Sequence, residues 1–340
     1  MGFRVRLYPS GREFMAEPQE TLLEAALRSG VNIHYNCSNG SCGECRARII
    51  EGRGEDREFH DYILSENERN NGVVLLCTTH AASDLVLEAR VVESVDELPH
   101  QKITAKIFKV EKLDDSVVML LLRTPRTKTL RFLAGQHVQL NVAGHGVDLP
   151  IASCPCNGMM LQFHLQRGND EPLASWLIAQ PRFNESVQIE GPFGNFVLNE
   201  ASSHDVVMVG EETGFASLKG LIEHFFNLEK PQPLHLYRVA HHVQGNYLDK
   251  LCESWRDAID NFTYTPLVVA SPAAMLELLQ HIARQIRHPA QTDVYLAISQ
   301  EIAEAGQQIF TQCGVPPQQI AVAQHRTVLR EAPLPGTVGR

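Results

Sequence analysis

The sequence predicts a multidomain chain: a compact α+β unit, then an antiparallel β-barrel, then an α/β unit built on a parallel sheet. Three observations predict it. At 340 residues the chain is too long for one small core and suits two or three domains. Four cysteines stand in a spaced register confined to the first 77 residues. The texture of the apolar residues also changes twice, giving expected units of 1–98, 99–200 and 201–330 and a loose Pro/Gly-rich tail, 331–340.

In the first unit, residues 3–9 and 12–17 read as a hairpin around Ser10-Gly11. Thr21 to Ser29 reads as a helix: Thr21 caps it, Glu24 completes a capping box, and Leu22, Leu23, Ala26 and Leu27 form its apolar face. Gly30 stands at the helix stop. After a Cys-rich loop, residues 45–50, 73–76 and 84–92 read as strands. Pro99-His100-Gln101 reads as a linker. Short alternating segments follow at 103–110, 116–123, 137–142, 161–166 and 186–190, separated by turn signals and one helix at 173–179, which is the spacing of a small barrel. From Asp205, buried strands at 206–209, 234–239, 262–269 and 293–298 alternate with helices such as 216–228 and 273–286, the pattern of a parallel sheet.

Composition excludes several classes of function. Hydrophobic residues make up 44% and charged residues 21%, as in ordinary soluble globular proteins. No apolar run reaches the roughly 18–20 residues of a membrane span. The alternating start, Met1 to Tyr8, lacks the layout of a secretory signal, so the expected location is the cytoplasm. Net charge is −10. Residues 1–98 hold 17 Asp and Glu against 10 Arg and no Lys, so most of the excess sits there. Such a surface argues against nucleic acid and suits steering toward a basic redox partner, or simply aids solubility.

The chain has 8 Cys, which a reducing compartment keeps from pairing as disulfides. Cys37-x4-Cys42-x2-Cys45, with Cys77 distant, is the plant-type [2Fe–2S] layout, and thiolates are suitable soft ligands for it. Gly40 and Gly43 permit the tight wrap, and with Ser41 they form the cluster loop whose N–H groups can face the sulfurs. A zinc site prefers paired Cys-x2-Cys units, and only one such pair exists here. Cys154-Pro155-Cys156 admits a redox or metal role beside a bland structural one, and the pair His241-His242 admits a metal-ligand role, with distant help, beside ordinary surface or barrel-edge histidines.

Residues 20–26, 35–45, 75–79 and 84–88 resemble the β-grasp ferredoxin domains fused to oxygenase reductases. Residues 103 to about 325 resemble the ferredoxin–NADP reductase superfamily, in the layout of monooxygenase reductase components and of the CDP-6-deoxyglucoseen reductase type. The resemblance is carried by Phe132 to Val138, Ile151-Ala152-Ser153, Gly191 to Phe196 and Thr213-Gly214-Phe215-Ala216. It implies hydride transfer from NAD(P)H to FAD, then single electrons to the cluster and on to a partner.

The chemical positions depart from that family. Its Arg-x-Tyr-Ser flavin motif falls on Val147, Asp148, Leu149 and Pro150. Its Gly-Gly turn before a short helix falls on Asn169 to Ser175, with acids in place of glycines. Its Gly-Gly-Thr-Gly loop reads Glu211-Glu212-Thr213-Gly214, and its Cys-Gly-Pro segment reads Ala297-Ile298-Ser299-Gln300. At an effective dielectric of about 20, one carboxylate about 4 Å from a phosphate charge costs roughly 4 kcal/mol before screening. The sequence therefore predicts lost FAD and NAD(P)H binding, with Ser153, Ser175, Thr213 and Gly214 as residual flavin or nucleotide positions. The expected activity is electron transfer by the [2Fe–2S] cluster, to or from a protein partner such as an oxygenase or hydroxylase. A working NAD(P)H-dependent flavin reductase and a non-catalytic redox-sensing subunit are the rival readings.

Overall fold

The computed structural model describes residues 2–56, 63–92, 94–125, 129–142, 144–167, 173–179, 183–241 and 246–323. The N-terminal unit contains β1 (Phe3–Tyr8), β2 (Glu13–Ala16), α1 (Leu22–Arg28), β3 (Arg46–Glu51), β4 (Gly54–Asp56), α2 (Glu66–Asn70), β5 (Val73–Leu75), β6 (Thr79–Ala81) and β7 (Leu85–Glu88). Its five-stranded sheet has the order β2-β1-β7-β3-β5, with β1 and β7 parallel. The capping box that Thr21 and Glu24 predict is formed at the start of α1. That helix buries Leu22, Leu23, Ala25 and Ala26 against Val5, Leu7, Leu85 and Leu87 of the sheet.

The barrel follows: β8 (Gln101–Lys112), β9 (Val117–Arg123), β10 (His137–Val142), β11 (His145–Pro150), β12 (Met160–Gln166), α3 (Leu173–Ala179) and β13 (Ser186–Phe193). The six strands run antiparallel in the order β11-β10-β13-β8-β9-β12, and the two edge strands approach each other to nearly close it. Residues such as Leu120, Val138, Leu140, Phe163 and Val187 alternate inward to fill it. Strand β11 escaped the sequence reading, because Gly144, Gly146 and Pro150 look like turn residues. Gly144, at φ +87°, lets the chain reverse, after which Val147 and Leu149 obey the period of two and point into the core.

The last unit comprises β14 (Asp205–Glu211), α4 (Phe215–Asn227), β15 (Leu234–Ala240), α5 (Asp249–Ala258), β16 (Phe262–Val268), α6 (Pro272–Gln285), β17 (Thr292–Ala297), α7 (Gln300–Gln312) and β18 (Ile320–Val322). The sheet is parallel throughout, in the order β16-β15-β14-β17-β18. The chain reverses its direction of travel between β14 and β17, which opens a crevice at their C-terminal ends.

Specific side chains tie the units together. Lys219 of α4, nearly fully buried, donates to Ala152 O at 3.1 Å and Gln162 Oε1 at 3.2 Å on the barrel and pairs with Glu223 at 2.5 Å. The N-terminal unit docks through Tyr35 Oη, 3.1 Å from Thr129 Oγ1, and through Arg12, 2.5 Å from Glu200. Among the described residues, no helix is long and apolar enough to cross a membrane.

Candidate metal centre and nucleotide crevice

The loop between α1 and β3 carries Cys37, Cys42 and Cys45, and the turn after β5 brings Cys77 to it. Ser38, Gly40 and Gly43 all have positive φ, at 57°, 80° and 76°, which winds the backbone tightly around the sulfurs. A Cβ at Gly43 would lie 2.7 Å from Arg46 Nη1, the movable end of a long side chain, so the positive φ rather than lack of space is what favours glycine there. Gly40 N–H donates to Cys77 Sγ at 3.1 Å, Cys42 N–H to Cys37 Sγ at 3.3 Å, Cys37 N–H to Cys42 Sγ at 3.4 Å and Glu44 N–H to Cys42 Sγ at 3.5 Å. Ser41 donates its hydroxyl to Asn39 Oδ1 at 2.7 Å, which braces the outer turn.

Burial works against a Cys37 thiolate, but N–H groups of Asn39 and Cys42 and the side chain of Ser41 outweigh it and pull the thiol down to about 6. A hydrogen bond from Cys77 likewise holds Cys45 below the usual thiol range. Cys45 and Cys77 Sγ lie 3.3 Å apart and are buried, whereas Cys37 and Cys42 are half-buried and face each other across the loop mouth. Among the described residues, no three His, Cys, Asp or Glu side chains gather as one ion would require. The sulfurs are instead arranged as an inner and an outer pair. That arrangement suits a dinuclear cluster with one iron per pair, and the donated N–H bonds suit its negative charge.

At the crevice of the parallel sheet, Glu211 ends β14 and Glu212 follows it, where a phosphate-binding loop would need glycines. Glu211 is 8% exposed. Its carboxylate accepts from Ser299 N–H at 2.5 Å, at the start of α7, and sits 2.7 Å from His241 Nε2. Glu212 accepts from His241 N–H at 2.6 Å. Two backbone donors at this crevice, Ser299 N–H and His241 N–H, are thus already bonded to carboxylates of the chain. Burial lowers His241, but Glu211 outweighs it and the ring titrates above its ordinary value. Thr213 donates to Gln166 Oε1 at 3.3 Å, and a Cβ on Gly214 would lie 2.2 Å from Ala297 O. Both residues are engaged in packing the loop onto β12 and β17.

The flavin-type positions are likewise committed internally. Ser153 Oγ donates to Met160 O at 3.3 Å and accepts from Gln162 N–H at 3.2 Å. Val147 and Leu149 lie in the barrel core, each 2% exposed. Ser175 sits half-buried on α3. Residues Asn169 to Pro172, His242 and the tail 331–340 lie outside the described residues.

One expectation is corrected: Cys154 and Cys156 are joined as a disulfide rather than left as free thiols. The Pro155–Asn157 turn that Cys154 caps holds their Cα atoms 5.2 Å apart, within bridging range. Sequence reasoning also missed the Glu211–His241 pair and the buried Lys219. Glu211 meets His241, and Lys219 meets Ala152 and Gln162, on other elements, so no local signal announces them; only the Lys219–Glu223 pair lies within one helix.

Comparison with known proteins finds a cluster-binding domain in the N-terminal part of the chain. Residues 5–82 match the model of the 2Fe-2S iron-sulfur cluster binding domain. The chain is 28% identical over 270 residues to the CDP-6-deoxy-L-threo-D-glycero-4-hexulose-3-dehydrase reductase of Yersinia pestis, covering 79% of this chain and 80% of the relative. It is 29% identical over 311 residues to the toluate 1,2-dioxygenase electron transfer component of Pseudomonas putida, covering 89% and 91%. The crystal structure of the Amycolatopsis cytochrome P450 reductase GcoB superposes with a TM-score of 0.57 at 24% identity, over 94% of this chain and 98% of that one, and so shares the fold.

Proposed function

We propose that this chain, a 2Fe–2S ferredoxin domain fused to a ferredoxin-reductase-like fold, is a cytoplasmic electron-transfer protein whose reductase-like part binds neither FAD nor NAD(P)H. We take its units as 1–98, 99–200 and 201–330. Cys37, Cys42, Cys45 and Cys77 hold the cluster, which supplies reversible one-electron transfer when bound. Gly40, Ser41 and Gly43 shape the loop so that N–H groups favour the charged sulfurs. The outer pair, Cys37 and Cys42, lies among the exposed residues Asn36, Asn39, Ser41 and Glu44, where a partner protein can approach. The acidic N-terminal unit favours a partner with a basic face, such as an oxygenase or hydroxylase component.

The observation that carries the loss of nucleotide binding is the Glu211 carboxylate on Ser299 N–H. A phosphate entering there would have to displace a buried, already bonded anion. Burial of Val147 and Leu149 in the barrel core supports the parallel loss of the flavin contacts. Residues 153, 175, 213 and 214 are then structural remnants of the fold.

The test is the cofactor content of the purified protein, produced with ample riboflavin. The expected result is about two irons and two sulfides per chain and no acid-released flavin, even after added FAD. Near-equimolar FAD would overturn the proposal. It would favour the second reading, a working NAD(P)H-dependent reductase; one relative carries the name of a reductase.

A further inference from the structure

The disulfide Cys154–Cys156 lies where the barrel, α4 and the ferredoxin domain meet. Pro155 of this turn lines a small cavity with Leu27, Ile33 and Tyr35 of the ferredoxin domain. Cys154 is 4% exposed, whereas Cys156 is half-buried and reachable from solvent. Two donors and an imidazole nitrogen converge on the Cys154 sulfur. Asn227 Nδ2 is 3.3 Å away, Cys156 N–H 3.2 Å, and His224 Nδ1 3.9 Å. The His224 ring is 1% exposed, and its other nitrogen lies 2.8 Å from Glu200 Oε1. Glu200 is in turn fixed by Arg12 of the ferredoxin domain at 2.5 Å. Sulfur, imidazole and carboxylate stand in a row.

A stapling role explains little of this. A bridge between residues two apart closes a minimal loop, so it restricts the unfolded chain far less than a long-range bridge does. A staple also gains nothing from an imidazole–carboxylate pair and an amide aimed at one sulfur. Those groups favour the thiolate that exists only while the bond is open. We propose that Cys154 and Cys156 are a redox-active dithiol–disulfide couple that exchanges electron pairs with an external dithiol, with His224 moving the proton at Cys154 Sγ and Glu200 holding the ring in place.

The exchange balances. A thiolate of the reducing dithiol attacks Cys156 Sγ, the Cys154–Cys156 bond breaks, and Cys154 leaves as a thiolate that takes a proton from His224 Nδ1. The second thiol of the reductant gives its proton to solvent, from which His224 is reprotonated, and attacks its own first sulfur. This releases Cys156 as a thiolate, which solvent protonates. The external dithiol becomes a disulfide, and the protein pair gains two electrons and two protons. His224 touches the reacting sulfur and is a catalytic residue for this exchange. Glu200 acts through it and is a positioning residue.

The experiment uses the full, cluster-loaded chain under native conditions. Dithiothreitol or a thioredoxin-type protein is added, the reaction is quenched with iodoacetamide at intervals, and the peptide carrying both cysteines is weighed by mass spectrometry. The expected result is a disulfide in the untreated protein and two alkylated thiols after either reductant; whichever acts faster at equal thiol concentration identifies the source. His224→Gln should slow native reduction at least tenfold, and Glu200→Gln should slow it by a smaller factor with the imidazole still in place. In urea all three proteins should reduce at one rate. A variant that only loosened the packing would reduce faster, not slower. The proposal is overturned if both thiols alkylate in untreated protein and stay open in oxidised dithiothreitol, or if neither variant slows native reduction.

Discussion

Replacing Glu211 with Gln probes the crevice directly, because the change keeps shape and removes charge. The carboxylate accepts from Ser299 N–H and pairs with His241. A hydrogen bond to a charged group contributes about 1.5–3 kcal/mol and a neutral one about 0.5–1.5, so the Ser299 bond alone loses about 1 kcal/mol. The pair with His241, whose ring is 32% exposed, adds up to about 1 kcal/mol while the ring is charged. The sign with pH follows from the raised His241 value. Its contribution is fully present below the ordinary histidine value of about 6.5 and is lost as pH rises through the higher folded value. Glu211→Gln should therefore cost about 2 kcal/mol at pH 6 and about 1 kcal/mol at pH 9. For a unit of this size that is about 8 and 4 °C in melting temperature. The chain has two tryptophans, and Trp255 lies in the α/β unit, so its fluorescence in a Trp176→Phe background reports the relevant transition. Equal destabilisation at both pH values, or a cost that grows with pH, would refute the reasoning.

Other perturbations test the remaining elements. Cys45→Ser and Cys77→Ser should each abolish the visible absorption of the cluster and reduce bound iron to a trace, while Cys313→Ser leaves both unchanged. Tyr35→Phe removes the hydrogen bond to Thr129 across the domain boundary and should cost about 1 kcal/mol, read as faster limited proteolysis at residues 99–101. Gly214→Ala places a methyl 2.2 Å from Ala297 O, and the forced backbone shift should cost about 1–3 kcal/mol or more, read by Trp255 fluorescence melting.

Most of the architecture was legible in the sequence, because the elements announce themselves through local periodicity and caps. The helix at Leu22–Arg28 is marked by Thr21 and Glu24, and the parallel sheet by apolar runs such as Val206 to Val209. The four cysteines were legible because their ligand spacing is itself local apart from Cys77. Strand β11 was not, since its inward residues are only Val147 and Leu149, set among turn-forming neighbours. The acidic loop was legible as a departure from a phosphate-binding pattern. What Glu211 bonds instead was not, because Ser299 lies 88 residues away on another element. The row from Cys154 through His224 and Glu200 to Arg12 joins four segments, so no sequence window contains it.

Gly135, Ser153, Thr213 and Gly214, which this chain retains from the reductase pattern, have packing or bonding reasons of their own. A Cβ at Gly135 would lie 2.1 Å from Phe196 O, and one at Gly214 2.2 Å from Ala297 O. Each contact is with backbone, which cannot give way as a flexible side chain can, so any larger residue would distort the fold with or without a bound nucleotide. Thr213 and Ser153 are also bonded within the protein. The residues that differ, at 147, 149, 211 and 212, are those that the reductase pattern assigns to cofactor contacts. In this structure they fill a core or satisfy backbone donors. Retained glycines therefore carry no weight for nucleotide binding in a chain of this fold. The weight falls on the exchanged positions, and on whether Ser299 N–H still prefers the carboxylate beside it to a phosphate from solution.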